Sequence, residues 1–443
     1  MASKLSDADC PDELIVDNNN DLSDCEKLGY LTEPTLETIP VEIFLEICGY
    51  LEPGFVSHTL SRVCKRFEGI LADDSLWRFW VNKRLQHNKY PPINCPTEHF
   101  KWDEECAHIE RLYSLWRDEK STMKHVALKS AHYAAVDGIL LLKEGSFCVS
   151  GSRDRALAVW NVRESIQDED KVKPLLKHSA HDGWVWALAT PSTTSSRVFS
   201  ASWDSHVKAW DLNTELKEIN SFKCALSALC ITCIDENVAV AGLFSPDIVI
   251  LDTRVGNVPV ATHRVHKKSV LDITHPKPGS HMLYTTSEDR HLAAFDMRAG
   301  QLRRRKHLNH VAPNMPYALS LAANNDFCPH ALYAGDTHGN LHLFDMRTLQ
   351  KLSSTSLWPA GKGSKVTGLA LSPAGLFACS EGGSISIMNP SFPPTQVATI
   401  ASSTASITGL DYENDVLAVG TCDAAVELWV PLDSPLFDQA NCL

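Results

Sequence analysis

The sequence predicts an all-β fold, a closed propeller of seven blades, preceded by a small all-α domain and a helical linker. Three observations carry that prediction. A stretch from His181 to Asp211 holds three short alternating apolar runs separated by turns. A like unit recurs down the chain, and a helical periodicity of apolar residues fills the segment ahead of it.

Within HDGWVWALATPSTTSSRVFSASWDSHVKAWD, the runs begin at Val185, Val198 and Val207, which reads as three antiparallel strands. His181 lies before the first strand, Ser200 in the second, Asp204 in the turn after it and Trp210 in the third. In a meander, Asp204 can accept from a backbone amide and from His181, which reaches Ser200 and Trp210. Such a chain satisfies polar groups that packing would otherwise leave unpaired.

The preceding repeat has His132, Ser150, Asp154 and Trp160 in the same order, with each serine four residues before its aspartate and each aspartate six before its tryptophan. His181, Ser200 and Asp204 could also be read as a hydrolytic triad. Recurrence argues against that, because a nucleophile is needed once and on an exposed elbow, whereas a strut recurs. On these residues the stretch resembles the WD-repeat family, whose blades carry this histidine, serine or threonine, aspartate and tryptophan.

Third-strand ends at Trp160-Asn161, Trp210-Asp211, Leu251-Asp252, Phe295-Asp296, Phe344-Asp345, Met388-Asn389 and Trp429-Val430 mark seven blades. Their separations of 50, 41, 44, 49, 44 and 41 residues bracket the period of about 40–45 of four-stranded blades. Blade 4 keeps His266, Thr285 and Asp289 but has Phe295 for tryptophan, and blades 3, 5, 6 and 7 depart from the polar chain. The last repeat stops at its third strand. Met123 to Leu128, ahead of the first repeat, can supply the missing outer strand and close the ring.

Composition bounds the rest. The chain has 443 residues, 44% apolar and 21% charged, enough for more than one domain. It has no 18-residue apolar run and no basic start or apolar core of a secretion signal, so neither membrane spanning nor export is expected. Fourteen irregularly spaced cysteines fit a reducing compartment, hence the cytoplasm, the nucleus or both. Cys230-x-x-Cys233 lacks a second pair and reads as core strand rather than metal half-site, and no cofactor is implied. Of the net charge of −13, residues 1–35 contribute −7 and read as a disordered acidic tail. Nothing has the basic footprint of a nucleic-acid binder.

From residue 36 the pattern becomes helical. Thr38 can cap a helix with an early Pro40 and apolar Ile43, Phe44, Ile47, Cys48 and Leu51, ended by Gly49 and Glu52-Pro53-Gly54. A second helix is expected through Leu60, Val63, Cys64 and Phe67, and a third after Asp73-Asp74-Ser75 with Leu76, Trp77 and Trp80. So small a set of apolar helices implies a partner surface. Ile39-Pro40-Val41-Glu42-Ile43, Tyr50-Leu51, Val63-Cys64-Lys65-Arg66-Phe67 and Asp73 to Trp77 resemble the F-box family, with isoleucine for leucine at 39. A three-helix module without a partner is the alternative.

That resemblance implies docking to the Skp-type adaptor of a cullin–RING ubiquitin ligase, with Ile39, Pro40, Ile43, Leu51, Val63 and Cys64 facing it. The expected domains are the tail 1–35, the F-box 36–83, a linker 84–121, the propeller 122–431 and a C-terminal tail 432–443. In the linker, Pro91, Pro92 and Pro96 forbid regular structure, whereas Trp102, Cys106, Ile109, Leu112 and Trp116 are spaced for a helix that fixes the propeller in place.

The position before each first-strand valine equivalent, taken as the channel mouth, holds Ala135, Trp184, Ala225, Ser269, Tyr317, Lys365 and Ser406. Arg153, Arg155, Trp203, His206, Arg290 and His338 lie in turns expected to rim that face. Trp184, Trp203 and Tyr317 are candidate anchors for a protein substrate, though they could equally pack between blades. Arg153, Arg155 and Arg290 leave phosphate recognition open. The family resemblance implies a non-catalytic substrate receptor of a Skp–cullin–F-box (SCF) ligase. A scaffold independent of any ligase is the second reading, and a propeller hydrolase the third.

Overall fold

Seven four-stranded antiparallel sheets make up the strand-rich part of the protein. The structure, a computed structural model, describes residues 36, 38–84, 101–167, 172–276, 280–308, 318–323, 330–358, 364–372, 375–403 and 406–437. The acidic tail, the proline-rich half of the linker, Tyr317 and the last six residues lie outside them.

Blade 1 consists of Val136–Leu142, Phe147–Ser152, Ala156–Asn161 and Leu176–Ser179, and blade 2 of Val185–Ala189, Arg197–Ser202, His206–Asp211 and Lys217–Lys223. Blades 3 to 6 open with Ala228–Cys233, Val270–Thr274, Ala318–Ala323 and Val366–Leu371. The third strands of blades 1 to 6 end at Asn161, Asp211, Asp252, Asp296, Asp345 and Asn389, the positions the repeat spacing marked. Blade 7 combines Ile407–Glu413, Val416–Thr421 and Val426–Pro431 with Met123–Leu128, which pairs antiparallel to the third strand with His125 opposite Trp429. The ring is thus closed with all seven blades four-stranded.

Valine-rich first strands are buried between blades: Val136, Val185, Val270 and Val366 are sealed from solvent. Close approach demands small partners there. A Cβ on Gly151 would stand 2.6 Å from Val185 Cγ1, and one on Gly335 would stand 2.4 Å from Val366 Cγ1. Cys230 and Cys233 are both buried in the first strand of blade 3, as a core strand requires, and burial raises the Cys230 thiol well above its usual range.

The chain divides into two compact units, residues 1–51 and 52–443. In the first, helix α1 spans Val41–Cys48; its N-cap residue is Pro40 rather than Thr38, since proline's fixed φ suits the first turn without a side-chain cap. In the second unit, the expected helix through Leu60, Val63, Cys64 and Phe67 is broken in two, and a further helix precedes it. Helix α2 is Pro53–His58, Leu60–Arg62 form a single 3₁₀ turn, and α3 is Lys65–Leu71. The Ser61 hydroxyl bonds back to the Ser57 carbonyl, competing with the helical pattern, and Cys64 is extended. Pro53, read as a breaker, occupies the first turn of α2.

Helix α4 is Asp74–Arg84, started by the Asp73 carboxylate accepting from the Ser75 amide at 2.9 Å. Its Trp77 is buried and donates to the Leu71 carbonyl at 2.7 Å. Helix α5, Trp102–Arg117, buries Trp102, Cys106, Ile109, Leu112 and Trp116. On one side Ser57 donates to Asp103 at 2.7 Å, and Arg78 lies over the Trp102 ring. On the other, Trp116 meets Phe377 edge to face at 5.8 Å, and Tyr113 accepts from Asn389 at 2.7 Å. Arg111 bridges Asp415 and Asp433. Within the second unit, α5 therefore ties α2 and α4 to blades 6 and 7.

Candidate functional site

The residues that the sequence singled out fall into three groups. On α1, Phe44 and Cys48 are buried, but Ile43 is 49% exposed, and Val41, Ile47 and Tyr50 are exposed as well. Pro40 is exposed, and Ile39 and Leu51 are half-buried. In the second unit, Val63 is 60% exposed and Cys64 half-buried, with Phe55 and Phe79 also exposed. Each unit thus leaves apolar side chains in water, as contact surfaces do before a partner covers them.

The second group consists of the braces within the blades. In blade 1, His132 Nδ1 is 3.0 Å from Asp154, and Nε2 is 2.8 Å from Ser150 Oγ, which accepts from Trp160 Nε1 at 3.0 Å. Blade 2 repeats this with His181, Asp204, Ser200 and Trp210 at 2.9, 2.8 and 2.8 Å. In blade 4, His266 bridges Asp289 and Thr285 at 3.3 and 2.8 Å. Burial alone would raise the Asp204 carboxyl, yet His181 and the amides of Asp182 and His206 hold it well below the usual carboxylate range. Ser200 is fully buried in mid-strand with its hydroxyl engaged by two neighbours, which is a strut and not a poised nucleophile.

Departing blades substitute other pairs. In blade 5, His342 Nε2 lies 3.0 Å from Asp336. In blade 7, Glu427 is fully buried, with Ser402 and His125 at 2.9 and 3.3 Å, and His125 stacks on Trp429.

The channel wall is formed by a feature that residue types did not reveal. Every first strand slips register two residues after its buried opening residue: between Val136 and Gly138, Val185 and Ala187, Ala228 and Cys230, Val270 and Asp272, Ala318 and Ser320, Val366 and Gly368, and Ile407 and Gly409. A bulge leaves one residue unpaired and re-aims it. The seven unpaired residues, Asp137, Trp186, Leu229, Leu271, Leu319, Thr367 and Thr408, all line the channel. The lining thus runs through the residue after the valine equivalent in every blade, while of the described positions before it only Lys365 and Ser406 join the lining.

The positions before the valine form the rim instead. The turn between second and third strands donates its first backbone N–H to that position in six blades: Arg153 to Ala135, Trp203 to Trp184, Phe244 to Ser227, Glu288 to Ser269, Glu381 to Lys365 and Cys422 to Ser406. In blade 3 the rim residue is therefore Ser227, not Ala225, because the first strand opens at Ala228.

Of the expected rim residues, Lys365, Ser406 and Arg153 border the channel. Arg153 makes a two-pronged pair with Asp137 at 2.8 and 3.0 Å, and Lys365 pairs with Glu381 at 3.1 Å. Trp184 and Trp203 come together at 6.3 Å between ring centres, and the unforeseen Trp186 lies 6.0 and 6.1 Å from them. Phe244, also unforeseen, is 5.2 Å from Trp203. Arg155 and Arg290 stand in left-handed turn positions (φ 73° and 68°) outside the channel lining. His206 turns back to the Asp204 carbonyl at 3.1 Å and His338 donates its amide to Asp336, so neither joins the aromatic cluster.

An F-box-like profile matches residues 36–81, and a WD domain, G-beta repeat profile matches residues 172–211. With a seven-bladed ring behind helices of that type, the chain belongs to the F-box/WD repeat-containing proteins. F-box/WD repeat-containing protein 9 of Homo sapiens is 30% identical over 409 residues, covering 91% of this chain and 84% of the relative. The Bos taurus protein of that name is 30% identical over 402 residues, 89% and 82% of the two chains. F-box/WD repeat-containing protein mec-15 of Caenorhabditis elegans is 30% identical over 278 residues, 60% of this chain and 66% of its own. Proteins of this family are generally substrate receptors of SCF-type ubiquitin ligases.

Proposed function

We propose that this protein is the substrate-recognition subunit of an SCF ubiquitin ligase: its F-box docks the Skp-type adaptor, and through it the cullin–RING core, while the propeller holds a client protein for ubiquitination and degradation. The subunit performs no covalent chemistry. It raises the effective concentration of client lysines near a ligase-borne ubiquitin carrier. Braces that consume their own serine, histidine and aspartate support a non-catalytic role. Free thiols at all nine described cysteines support a reducing compartment, the cytoplasm or nucleus.

The observation that carries the reading is the union of an F-box-like segment, with Ile43 and Val63 in water, and a closed ring on one chain. The double change Pro40→Ala with Ile43→Asp is expected to abolish co-purification of a Skp-type adaptor while the propeller's melting stays unchanged. Adaptor binding that survives would reject this interface, whereas an unaltered chain that captures no adaptor would favour a scaffold working without a ligase.

A further inference from the structure

The channel mouth is chemically lopsided. Over blades 2 and 3 it is aromatic: Trp184, Trp203 and Phe244 are 43%, 41% and 46% exposed and lie in ring contact with one another or with Trp186. Leu226, also exposed, precedes Ser227, whose hydroxyl donates to the Trp203 carbonyl at 2.8 Å. Over blades 6 and 7 the mouth presents Lys365, Glu381, Thr367, Thr408 and Ser406.

Charge at the mouth decides what the aromatic half can take. Among the described residues, the cations lining the channel are Arg153 and Lys365, and the carboxylates are Asp137, Asp272 and Glu381. Both cations are spent: Arg153 on Asp137, with its guanidinium 5.4 and 5.1 Å from the Trp184 and Trp186 ring centres, and Lys365 on Glu381. A phosphate drawn to Arg153 would have to strip a two-pronged pair off a mostly buried carboxylate, and one drawn to Lys365 would have to displace Glu381, so neither lining cation offers a free anion site. Exposed indole and phenyl faces next to a neutralised rim instead complement uncharged apolar side chains, and large aromatics are the residues that anchor interfaces.

We propose that the client is recognised through an unphosphorylated segment carrying aromatic or aliphatic anchor side chains, seated on Trp184, Trp203 and Phe244 over blades 2 and 3. This rests on the receptor reading above and names the chemistry of its client.

The test uses the purified full-length chain and three synthetic peptide pools: one with tryptophan, phenylalanine or leucine fixed at two positions, one identical but with a central phosphoserine, and one of glycine, serine and asparagine. The first pool is expected to bind, the second more weakly and the third not at all. Trp203→Ala and Phe244→Ala, both in exposed turns, are expected to weaken the first pool about tenfold or more, roughly 1.4 kcal/mol, with melting unchanged, and Lys365→Ala to leave it unaltered. Tighter binding of the phosphoserine pool, no binding by the first pool, or indifference to Trp203→Ala and Phe244→Ala would overturn the proposal. So would a dimer in light scattering that Trp203→Ala dissolves, since the patch would then serve a second copy of the chain. Adaptor co-purification measured on the same variants separates the two failures: if it persists while peptide binding fails, this proposal falls and the receptor reading stands.

Discussion

A histidine with partners at both ring nitrogens is held to one tautomer, and His132 and His181 are examples: Nδ1–H donates to aspartate and Nε2 accepts from serine, whose oxygen accepts the indole N–H. Removing the aspartate strands the donors behind it. Asp204→Ala is expected to cost ~1–3 kcal/mol in urea unfolding, and a neutral result would mean that the turn is organised otherwise. Asp204 and Asp289 sit below the usual carboxylate range despite burial, so their contribution is present above about pH 4 and is lost as acid titrates them. Asp272 has the opposite sign. Burial pushes it up to about 7 against the opposing amides of Leu321 and Ile273, so the folded state holds the extra proton between about pH 4 and that value. Its contribution to stability therefore declines as pH rises through that window and is level above it. Asp272→Asn is expected to remove the decline: melting of the variant relative to the parent should gain from about pH 5 to 7 and then hold constant. A gap independent of pH would refute the assignment. The braces were legible because their members keep fixed offsets along the chain. The channel residues were not, since a one-residue bulge changes which side chain points inward without changing the apolar pattern that surrounds it.

Strands announced themselves better than helices. Alternation around a buried valine and an Asp or Asn at the third-strand end recur in nearly every blade, so the ring could be counted even where the polar brace is gone. The strand Met123–Leu128 was legible from what the last repeat lacked, and it takes the place expected of it. Deleting residues 122–128 is expected to lower the melting temperature and expose an aggregation-prone edge on blade 7, and an unchanged transition would show that this clasp contributes little. Helical segments misled at their ends: Pro53 begins a helix instead of only ending one, and Ser57, Thr59 and Ser61 break a segment whose apolar spacing looked continuous. Hydroxyl competition with the backbone leaves no mark on hydrophobic periodicity.

At the scale of the molecule, α5 explains why the adaptor interface should be probed with point changes rather than truncation. Its Asp103 and Trp102 side meets α2 and α4, and its Trp116 and Tyr113 side meets blades 6 and 7. Cutting away residues 36–83 would therefore bare the apolar flank of a helix that the propeller also uses, whereas Pro40→Ala with Ile43→Asp leaves α2, α4 and α5 in the chain. Ring closure has a consequence of timing as well. His125 and Glu427 stand 302 positions apart yet meet across the seam, so the strand that fastens the circle leaves the ribosome ahead of every blade and its mate leaves last. During almost the whole of translation that strand waits with its hydrogen-bonding groups unpaired, and a nascent chain interrupted before residue 426 has nothing to fasten to.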